Sequence, residues 1–308
     1  MKPRIFKDIE TQAKFDRDGY VLIDFISPEE AKIIAEKFYE FHDDLPKGFY
    51  SAAFSADEKY KQDIFVHTEK YFQNAVNEKF QDYKILGSTF LCKATGDDGK
   101  VGVHQDWTVT DESKYYSATV WVPTLDTTEE NGALRVIPGS HLFFNDYRSN
   151  NIPVSYRGNE SLLWENMITV PMRAGQAFIL NHAVIHGSSP NHTNRERLAI
   201  AYGLVPKEAD LIFYHKNVNE KSDRVEKFEM PDDFFQRYYN LGERPLFGNV
   251  VEEFEYPVPV VSRQKIKQLI NDEKRKRGGF IEADNEVVIP EKHSLFNFAR
   301  KIRESLFQ

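Results

Sequence analysis

The chain has 308 residues, of which 41% are hydrophobic and 14% aromatic, so it can build a sizeable core and is not disordered throughout. Its formal net charge of -8 at pH 7 argues against general binding to nucleic acids or to anionic membranes. The single cysteine, Cys92, excludes an internal disulfide and a cysteine-based zinc site.

The beginning of the sequence, Met-Lys-Pro-Arg-Ile-Phe, lacks the apolar region of a signal peptide. No apolar run approaches the ~18–20 residues that a membrane-spanning helix needs. We therefore expect a cytoplasmic protein that acts without a membrane or a nucleic acid as partner. The sequence does not indicate an oligomeric state.

The first 83 residues predict helices and one strand. Residues 8–17 and 69–80 have helical character, and residues 20–23 read as a strand. A Ser-Pro-Glu-Glu sequence at 27–30 predicts a helix start, with a capping serine, a proline in the first turn and a glutamate that can close a capping box. That helix should extend to about residue 42.

From residue 84 to 215 the pattern changes to short extended runs separated by turn residues, which predicts a closed or double-sheet β structure. The predicted strands are 85–93, 102–107, 117–123, 133–138, 168–172, 177–180 and 198–205. The polar segment 143–166 interrupts them and predicts a long insertion over one mouth of the barrel, where it would act as a lid.

Residues 216–308 form a predicted C-terminal appendix with weaker patterns. Helices are expected at 232–239, 262–277 and 293–306. The basic run at 274–277 ends the second of these helices, before two glycines. We interpret it as a solvated helix end, because no matching basic face exists elsewhere in the sequence.

The sequence Val-Gly-Val-His-Gln-Asp-Trp at 101–107 carries the first candidate site residues. His104 and Asp106 are two residues apart, so in an extended backbone their side chains leave the same face. A third metal ligand must come from a later strand, and His186 is the best candidate. Two histidines and one carboxylate form the facial triad of non-haem Fe(II) oxygenases. A His-x-Asp pair is common by chance, so only the surrounding sequence can show whether this pair indicates a metal site.

Arg197 follows His186 by 11 residues and opens a predicted strand. Small residues share its face, whereas bulky residues occupy the other face. An enclosed guanidinium there needs an anion, which is either a ligand carboxylate held bidentately or a structural acidic residue. Ser188 can meet the same carboxylate or cap a turn, and Trp121 can line the barrel or pack in the core.

Three stretches together with the opening at Phe15 resemble the phytanoyl-CoA dioxygenase family. They are Val-His-Gln-Asp-Trp at 103–107, Asn-Gly-Ala-Leu-Arg-Val-Ile-Pro-Gly-Ser-His at 131–141 and His-Gly-Ser-Ser-Pro-Asn-His-Thr-Asn-Arg-Glu-Arg at 186–197. The likeness extends from about Phe15 to His215. It implies a mainly β protein with peripheral helices and a double-stranded β-helix (jelly-roll) core. The whole chain would be a single oxygenase domain, with an N-terminal region at 1–83, a core at 84–215 and an appendix at 216–308.

The resemblance also implies Fe(II) as cofactor, with 2-oxoglutarate and O2 as cosubstrates. The matching positions for the catalytic metal ligands are His104, Asp106 and His186. Arg197 and Ser188 match residues that bind the distal carboxylate of 2-oxoglutarate, and Trp121 matches a residue that lines its pocket. The implied activity is hydroxylation of a small organic substrate at an unactivated C–H bond, with release of succinate and carbon dioxide.

Five other residues are further candidates for the site. Gln105 matches a residue commonly found between the first two ligands and is a candidate for substrate contact. Trp107 contacts substrate or packs in the core. Lys93 either reaches the pocket, as a third candidate for substrate contact, or lies in solvent at the end of a strand. His182 is a neighbour of the ligands or a structural residue, and His215 is a candidate for a residue that faces the barrel mouth.

Two alternative functions remain open. One is an oxygenase-type halogenase, against which the presence of Asp106 argues, because such enzymes lack the carboxylate. The other is a non-catalytic β-barrel that binds a metal or a small molecule, and such a protein has no use for Arg197. The fold does not name the substrate. We expect a polar small molecule, since no basic cluster suited to coenzyme A stands out.

Overall fold

The computed structural model describes residues 2–217, 222–240 and 242–280, and within them the strands form three antiparallel sheets. The strands are β1 Tyr20–Asp24, β2 Phe49–Ser51, β3 Tyr83–Lys93, β4 Val101–His104, β5 Ala118–Pro123, β6 Leu134–Val136, β7 Ile168–Val170, β8 Gln176–Asn181, β9 His186–Ser188, β10 Arg197–Pro206, β11 Leu211–Lys216, β12 Arg224–Met230 and β13 Asn249–Glu255. The helices are α1 Ile9–Asp18, α2 Pro28–Phe41, α3 Glu58–Lys79, α4 Glu160–Trp164, α5 Phe234–Arg237 and α6 Arg263–Arg277. The helix predicted at 293–306 lies outside the described residues.

Helix α2 begins with the predicted capping box. The Oγ of Ser27 accepts a hydrogen bond from the Glu30 N–H at 3.2 Å, and the Glu30 carboxylate accepts one from the Ser27 N–H at 2.8 Å. Helix α3 begins at Glu58, well before the predicted start at residue 69. In its first half, the polar residues Lys61 and Thr68 lie on the buried face. Apolar residues therefore do not recur there at helical spacing, and the sequence pattern does not show the helix.

The larger sheet has six strands in the order β1-β8-β5-β10-β3-β2, and two of them, β1 and β2, come from the first 83 residues. The strand β10 has the two predicted faces. Its bulky residues Ile200 and Tyr202 pack in the cluster beneath α2 and α3, whereas Ala199 and Ala201 belong to the cluster on the opposite face. This alternation leaves room on the inner face of the sheet.

The smaller sheet, β4-β9-β6-β7, packs against that inner face. Trp121 and Phe178 of the larger sheet share one apolar cluster with Val136 and Val170 of the smaller sheet. Two antiparallel sheets closed over a common core give the predicted double-stranded β-helix, or jelly roll, with helices outside. The expected fold class is therefore confirmed.

The third sheet, β11-β12-β13, was not predicted from the sequence. In β13 almost every residue is exposed on both faces, so the alternation that marks a half-buried strand is missing. The bounds of β9 were not predicted either, although His186 was expected on a strand, because only three residues of β9 lie between turn residues. Among the described residues, no helix is both long and apolar enough to cross a membrane.

The insertion 143–166 and helix α6 pack on each other at the outside of the smaller sheet. Phe144 and Leu163 share a cluster with Ile266 and Ile270 of α6. At the end of α6, Arg275 and Lys276 are exposed, as expected for a solvated basic run, but Arg277 is not. Arg277 is largely buried and pairs with Asp18 and with Glu273, so it joins α6 to the end of α1.

Candidate metal centre and carboxylate pocket

The two candidate histidines lie opposite each other on adjacent strands. The strand β4 ends at His104, β9 begins at His186, and the register pairs these two residues. Their ring centroids are 4.0 Å apart. The pairing is irregular between Val101 and His104, which is typical of a bulge beside a functional site.

Asp106 lies beside the two histidines, as predicted, but not on the strand that was predicted to place it there. The strand predicted at 102–107 ends at His104, so Asp106 lies beyond the ladder and does not share a strand face with that histidine. Its Oδ1 is nevertheless 3.9 Å from the Nε2 of His104 and 3.7 Å from the Nε2 of His186. One potential ligand atom from each residue lies within 4.8 Å of the others, which is a suitable arrangement for one metal ion.

Both histidines have their Nε2 atoms free for a metal. The Nδ1 of His104 lies 2.9 Å from the Gly102 carbonyl oxygen, and that of His186 lies 3.0 Å from the Val184 carbonyl oxygen. A carbonyl only accepts, so each Nδ1 carries the proton and each Nε2 has a lone pair. Burial, helped by His104, lowers the pKa of His186 to about 4, which keeps this imidazole neutral near pH 7.

The Asp106 carboxylate is held by a hydrogen bond from the neighbouring strand. Its Oδ2 accepts from the Thr119 hydroxyl of β5 at 2.6 Å. Burial opposes ionisation, but the surrounding histidines, His186 foremost, together with this hydrogen bond, lower the pKa of Asp106. A carboxylate and two neutral imidazoles form a donor set that suits Fe(II).

Arg197 opens β10 as predicted and is a buried cation without a counterion. The side chain is 1% exposed, its Nε and Nη1 atoms have no hydrogen-bond partner, and it is in no ion pair within the described part of the chain. Burial lowers its pKa to about 10. Its guanidinium carbon lies 5.0 Å from the centroid of the Trp121 ring. A structural acidic partner is thus not found, and an external carboxylate would satisfy the free donors.

Lys93 is the last residue of β3 and pairs with Arg197 in the sheet. It is fully buried, so the interpretation as a strand-end lysine in solvent is wrong. Its Nζ donates to the Ser188 Oγ at 2.7 Å and to the Ser189 carbonyl oxygen. Burial, with a smaller contribution from Arg197, lowers the pKa of Lys93 to about 6. Two basic residues and a hydroxyl therefore lie together at this end of the barrel.

The turn at Asn131 and Gly132 is needed for the position of Lys93. Gly132 has a φ of +80°, and a Cβ there would lie 2.6 Å from the Ser189 carbonyl oxygen and 2.8 Å from the Lys93 Cδ. Only glycine combines this backbone conformation with so close an approach. No local sequence pattern indicates that this turn borders the lysine.

The other sequence candidates contact protein groups. Gln105 is buried and donates to the Ala183 carbonyl oxygen at 2.6 Å, and Trp107 packs in an aromatic cluster with Phe213. His182 is buried near Asp106. The Nδ1 of His215 lies 2.9 Å from the Nδ2 of Asn151. Substrate contact by Gln105 or Trp107 stays a prediction.

Comparison with known proteins supports the sequence resemblance. The family model described as Phytanoyl-CoA dioxygenase (PhyH) matches residues 15–199. A phytanoyl-CoA dioxygenase of Arabidopsis thaliana is 25% identical over 174 residues, which are 56% of this chain and 59% of that protein. Phytanoyl-CoA dioxygenase domain-containing protein 1 of Rattus norvegicus is 30% identical over 130 residues, which are 39% of this chain and 44% of that protein. The chain thus spans about half the length of the curated relatives it matches.

Two solved structures are similar to the chain. The non-haem α-ketoglutarate-dependent carbocyclase SnoK from nogalamycin biosynthesis matches with a TM-score of 0.49 and 17% identity, over 66% of this chain and 86% of that one. HygX from Streptomyces hygroscopicus, solved with nickel and 2-oxoglutarate, matches with a TM-score of 0.49 and 19% identity, over 67% of this chain and 89% of that one.

Proposed function

Because this chain belongs to the phytanoyl-CoA dioxygenase family, we propose that it is an Fe(II)- and 2-oxoglutarate-dependent dioxygenase that hydroxylates a small organic substrate at an unactivated C–H bond. Members of this family use Fe(II), 2-oxoglutarate and O2. The observation that carries the proposal is the pairing of a His-Asp-His donor cluster with a buried, unpartnered guanidinium in one barrel. One molecule of 2-oxoglutarate would contact both, with one end at the metal and its distal carboxylate at the guanidinium.

The metal would be held by His104, Asp106 and His186, each through one donor atom. When bound, Fe(II) supplies the redox chemistry by which O2 is activated while 2-oxoglutarate is converted to succinate and carbon dioxide. With three protein ligands, coordination positions stay open for the cosubstrate. The side chain of His186 is buried, whereas those of His104 and Asp106 are 39% and 25% exposed, so a substrate could approach the site from their side.

The distal carboxylate of 2-oxoglutarate would be bound by the free donor edge of Arg197. The Trp121 ring lies beside that guanidinium, at a distance suited to a cation–π contact. Ser188 is the hydroxyl companion, and Lys93, already bonded to Ser188, would add a second cation to the same carboxylate. We therefore assign Lys93 to the cosubstrate rather than to the substrate.

The substrate of the proposed reaction is a small molecule, and a polar one is favoured. We propose neither a nucleic acid nor a membrane as a partner, and we propose a cytoplasmic location. A halogenase is disfavoured because Asp106 occupies the third ligand position. A non-catalytic binder is disfavoured because burying an unpaired Arg197 has a cost that only a bound anion offsets.

The test is succinate formation and O2 consumption by the protein loaded anaerobically with Fe(II) and 2-oxoglutarate, with amino acids, small acids and acyl thioesters screened as stimulating substrates. We expect one class of substrate to stimulate succinate formation, and a product heavier by one oxygen atom. A product that has lost hydrogen without gaining oxygen would contradict hydroxylation but would still agree with a 2-oxoglutarate-dependent enzyme.

His104→Ala and His186→Ala serve as the inactive variants, because two ligands hold a labile divalent ion poorly. We expect each to lose Fe(II) binding and turnover together. Succinate formation that does not depend on Fe(II), or that persists in both variants, would overturn the proposal.

A further inference from the structure

We propose that Arg148 is a positioning residue that fixes the metal ligand Asp106 through its main chain. The inference rests on the proposed function, because it requires Asp106 to bind the metal. Asp106 lies two residues beyond the end of β4, so no sheet hydrogen bond sets its place. Its position must therefore come from side chains around it.

Arg148 supplies contacts along the segment that contains Asp106. Its Nε donates to the Asp106 carbonyl oxygen at 2.9 Å, and its Nη2 donates to the Glu112 carboxylate at 2.5 Å. Between these points the Thr108 N–H donates to the Arg148 carbonyl oxygen at 3.0 Å, and the Arg148 N–H donates to the Thr108 Oγ1 at 3.1 Å. Residues 106–112 are thus attached to one arginine at three places.

The burial of this arginine makes the attachment rigid. Arg148 is 6% exposed, and its third nitrogen, Nη1, donates to the Asp146 carbonyl oxygen at 3.0 Å. Glu112 balances its charge. Charge-assisted hydrogen bonds are stronger than neutral ones and lose little to solvent when they are buried. Each nitrogen of the guanidinium therefore has an acceptor.

The two ends of Asp106 are held separately. Thr119 binds the carboxylate from β5, and Arg148 binds the carbonyl from the insertion 143–166. Groups that hold a metal ligand in this way determine where its oxygen can meet the ion, and their loss typically weakens metal binding 10- to 100-fold. In this inference, the segment predicted as a lid acts at Arg148 as a brace for the metal ligand.

The test measures Co(II) binding to the metal-free protein by absorption titration, without turnover. Arg148→Met should raise the Kd for Co(II) about 10- to 100-fold and alter the Co(II) absorption bands, because Asp106 is released. Arg148→Lys, which can still donate one hydrogen bond to the Asp106 carbonyl, should bind with intermediate affinity. Arg157→Met is the matched control. Arg157 belongs to the same insertion but donates to the carbonyl oxygens of residues 154, 258 and 259, so its loss should leave the Kd unchanged.

A folded Arg148→Met protein with the wild-type Kd and spectrum would overturn the inference. If Arg148→Met does not fold, Glu112→Gln is measured instead. This change removes the charge that pairs with Arg148 but keeps every hydrogen-bond donor of Arg148. A wild-type Kd in folded Glu112→Gln would then overturn the inference, and a raised Kd would support it. Failure of the wild-type chain itself to bind Co(II) would instead remove the proposed function, and this inference with it.

Discussion

The guanidinium of Arg197 lies over the ring of Trp121, with 5.0 Å between its central carbon and the ring centroid. The cation is therefore in contact with an aromatic ring, while its Nε and Nη1 have no hydrogen-bond partner in the described part of the chain. In most buried arginines an acidic residue accepts from these donors. Here the donors are oriented and free, which is the arrangement that a carboxylate ligand requires.

Replacement of Arg197 by methionine should weaken the binding of 2-oxoglutarate without lowering the stability of the fold. Loss of a buried, bidentate charged partner should weaken 2-oxoglutarate binding by roughly 2–5 kcal/mol. The free energy of unfolding without 2-oxoglutarate should stay the same or rise, because an unpaired buried charge is removed. An anaerobic titration of the Fe(II) protein, followed by its charge-transfer absorption, measures the first quantity, and thermal unfolding measures the second. An unchanged titration midpoint would show that Arg197 does not bind the cosubstrate.

Asp106→Ala should abolish most hydroxylation and leave the fold intact, because Asp106 lies outside the sheet ladder. Asp106→Glu should also be badly impaired, since an added methylene displaces the ligand oxygen from its place beside the two histidines. Product formation and circular dichroism are measured on both variants. Asp111→Ala is the control, because this carboxylate lies in the same segment but contacts Ser113 and Lys114. Full hydroxylation by well-folded Asp106→Ala would remove Asp106 from the ligand set.

Lys93 should make 2-oxoglutarate binding depend on pH. Its pKa of about 6 means that it is largely neutral at pH 8 without ligand, and an incoming carboxylate should raise that pKa. Binding at pH 8 should therefore take up close to one proton, and the uptake should shrink as the pH falls toward 6. Calorimetry in two buffers of different ionisation enthalpy measures this uptake. Lys93→Met should lose it, and equal uptake in both proteins would contradict the assignment.

The same pKa has a consequence for stability in the absence of 2-oxoglutarate. The pKa of Lys93 is lower in the folded state than its ordinary value of 10.5, so folding releases a proton between about pH 6 and pH 10.5. The unfolded chain binds more protons in this window, and the contribution of Lys93 to stability rises with pH. Urea unfolding of wild type and Lys93→Met across this range should show a wild-type stability that gains on the variant as the pH increases. A constant difference would contradict the lowered pKa.

Gly132→Ala should lower both stability and cosubstrate affinity, because the new Cβ meets the Ser189 carbonyl oxygen and the Lys93 chain. Gly158 provides a matched control, since it has the same φ of +80° but nothing within 4 Å of its Cβ position. Gly158→Ala should therefore show only the backbone strain, of order 1 kcal/mol. Thermal unfolding and 2-oxoglutarate titration compare the two. Equal losses of stability and unchanged affinities in both would mean that the contact with Lys93 has no effect.

The sequence predicted those parts of the fold whose signals are local. The capping box of α2 and the two faces of β10 depend on residues a few positions apart, and both are found as expected. The juxtaposition of His104, Asp106 and His186 was also found, although the strand does not reach Asp106. Its place depends on Thr119 and on Arg148, which no local pattern connects with it.

The features that the sequence did not predict depend on distant contacts. Lys93 is buried because Ser188 and Gly132, far along the chain, surround it, so its neighbours in β3 give no indication of burial. The strand β13 is exposed and charged, and it exists through its pairing with β12. Such elements arise from tertiary pairing, which overrides weak local preference.

The place of β1 in the larger sheet has a consequence for the order of events during synthesis. Tyr20 pairs with Leu180, and β8 is the only strand that β1 contacts in its sheet among the described residues. A growing chain therefore carries β1 without a partner until β8 has left the ribosome. Pairing over such a distance slows folding and leaves an open strand edge exposed to other chains in the meantime. The nascent protein is thus most exposed to aggregation before residue 181 emerges, although β1 is among its earliest elements.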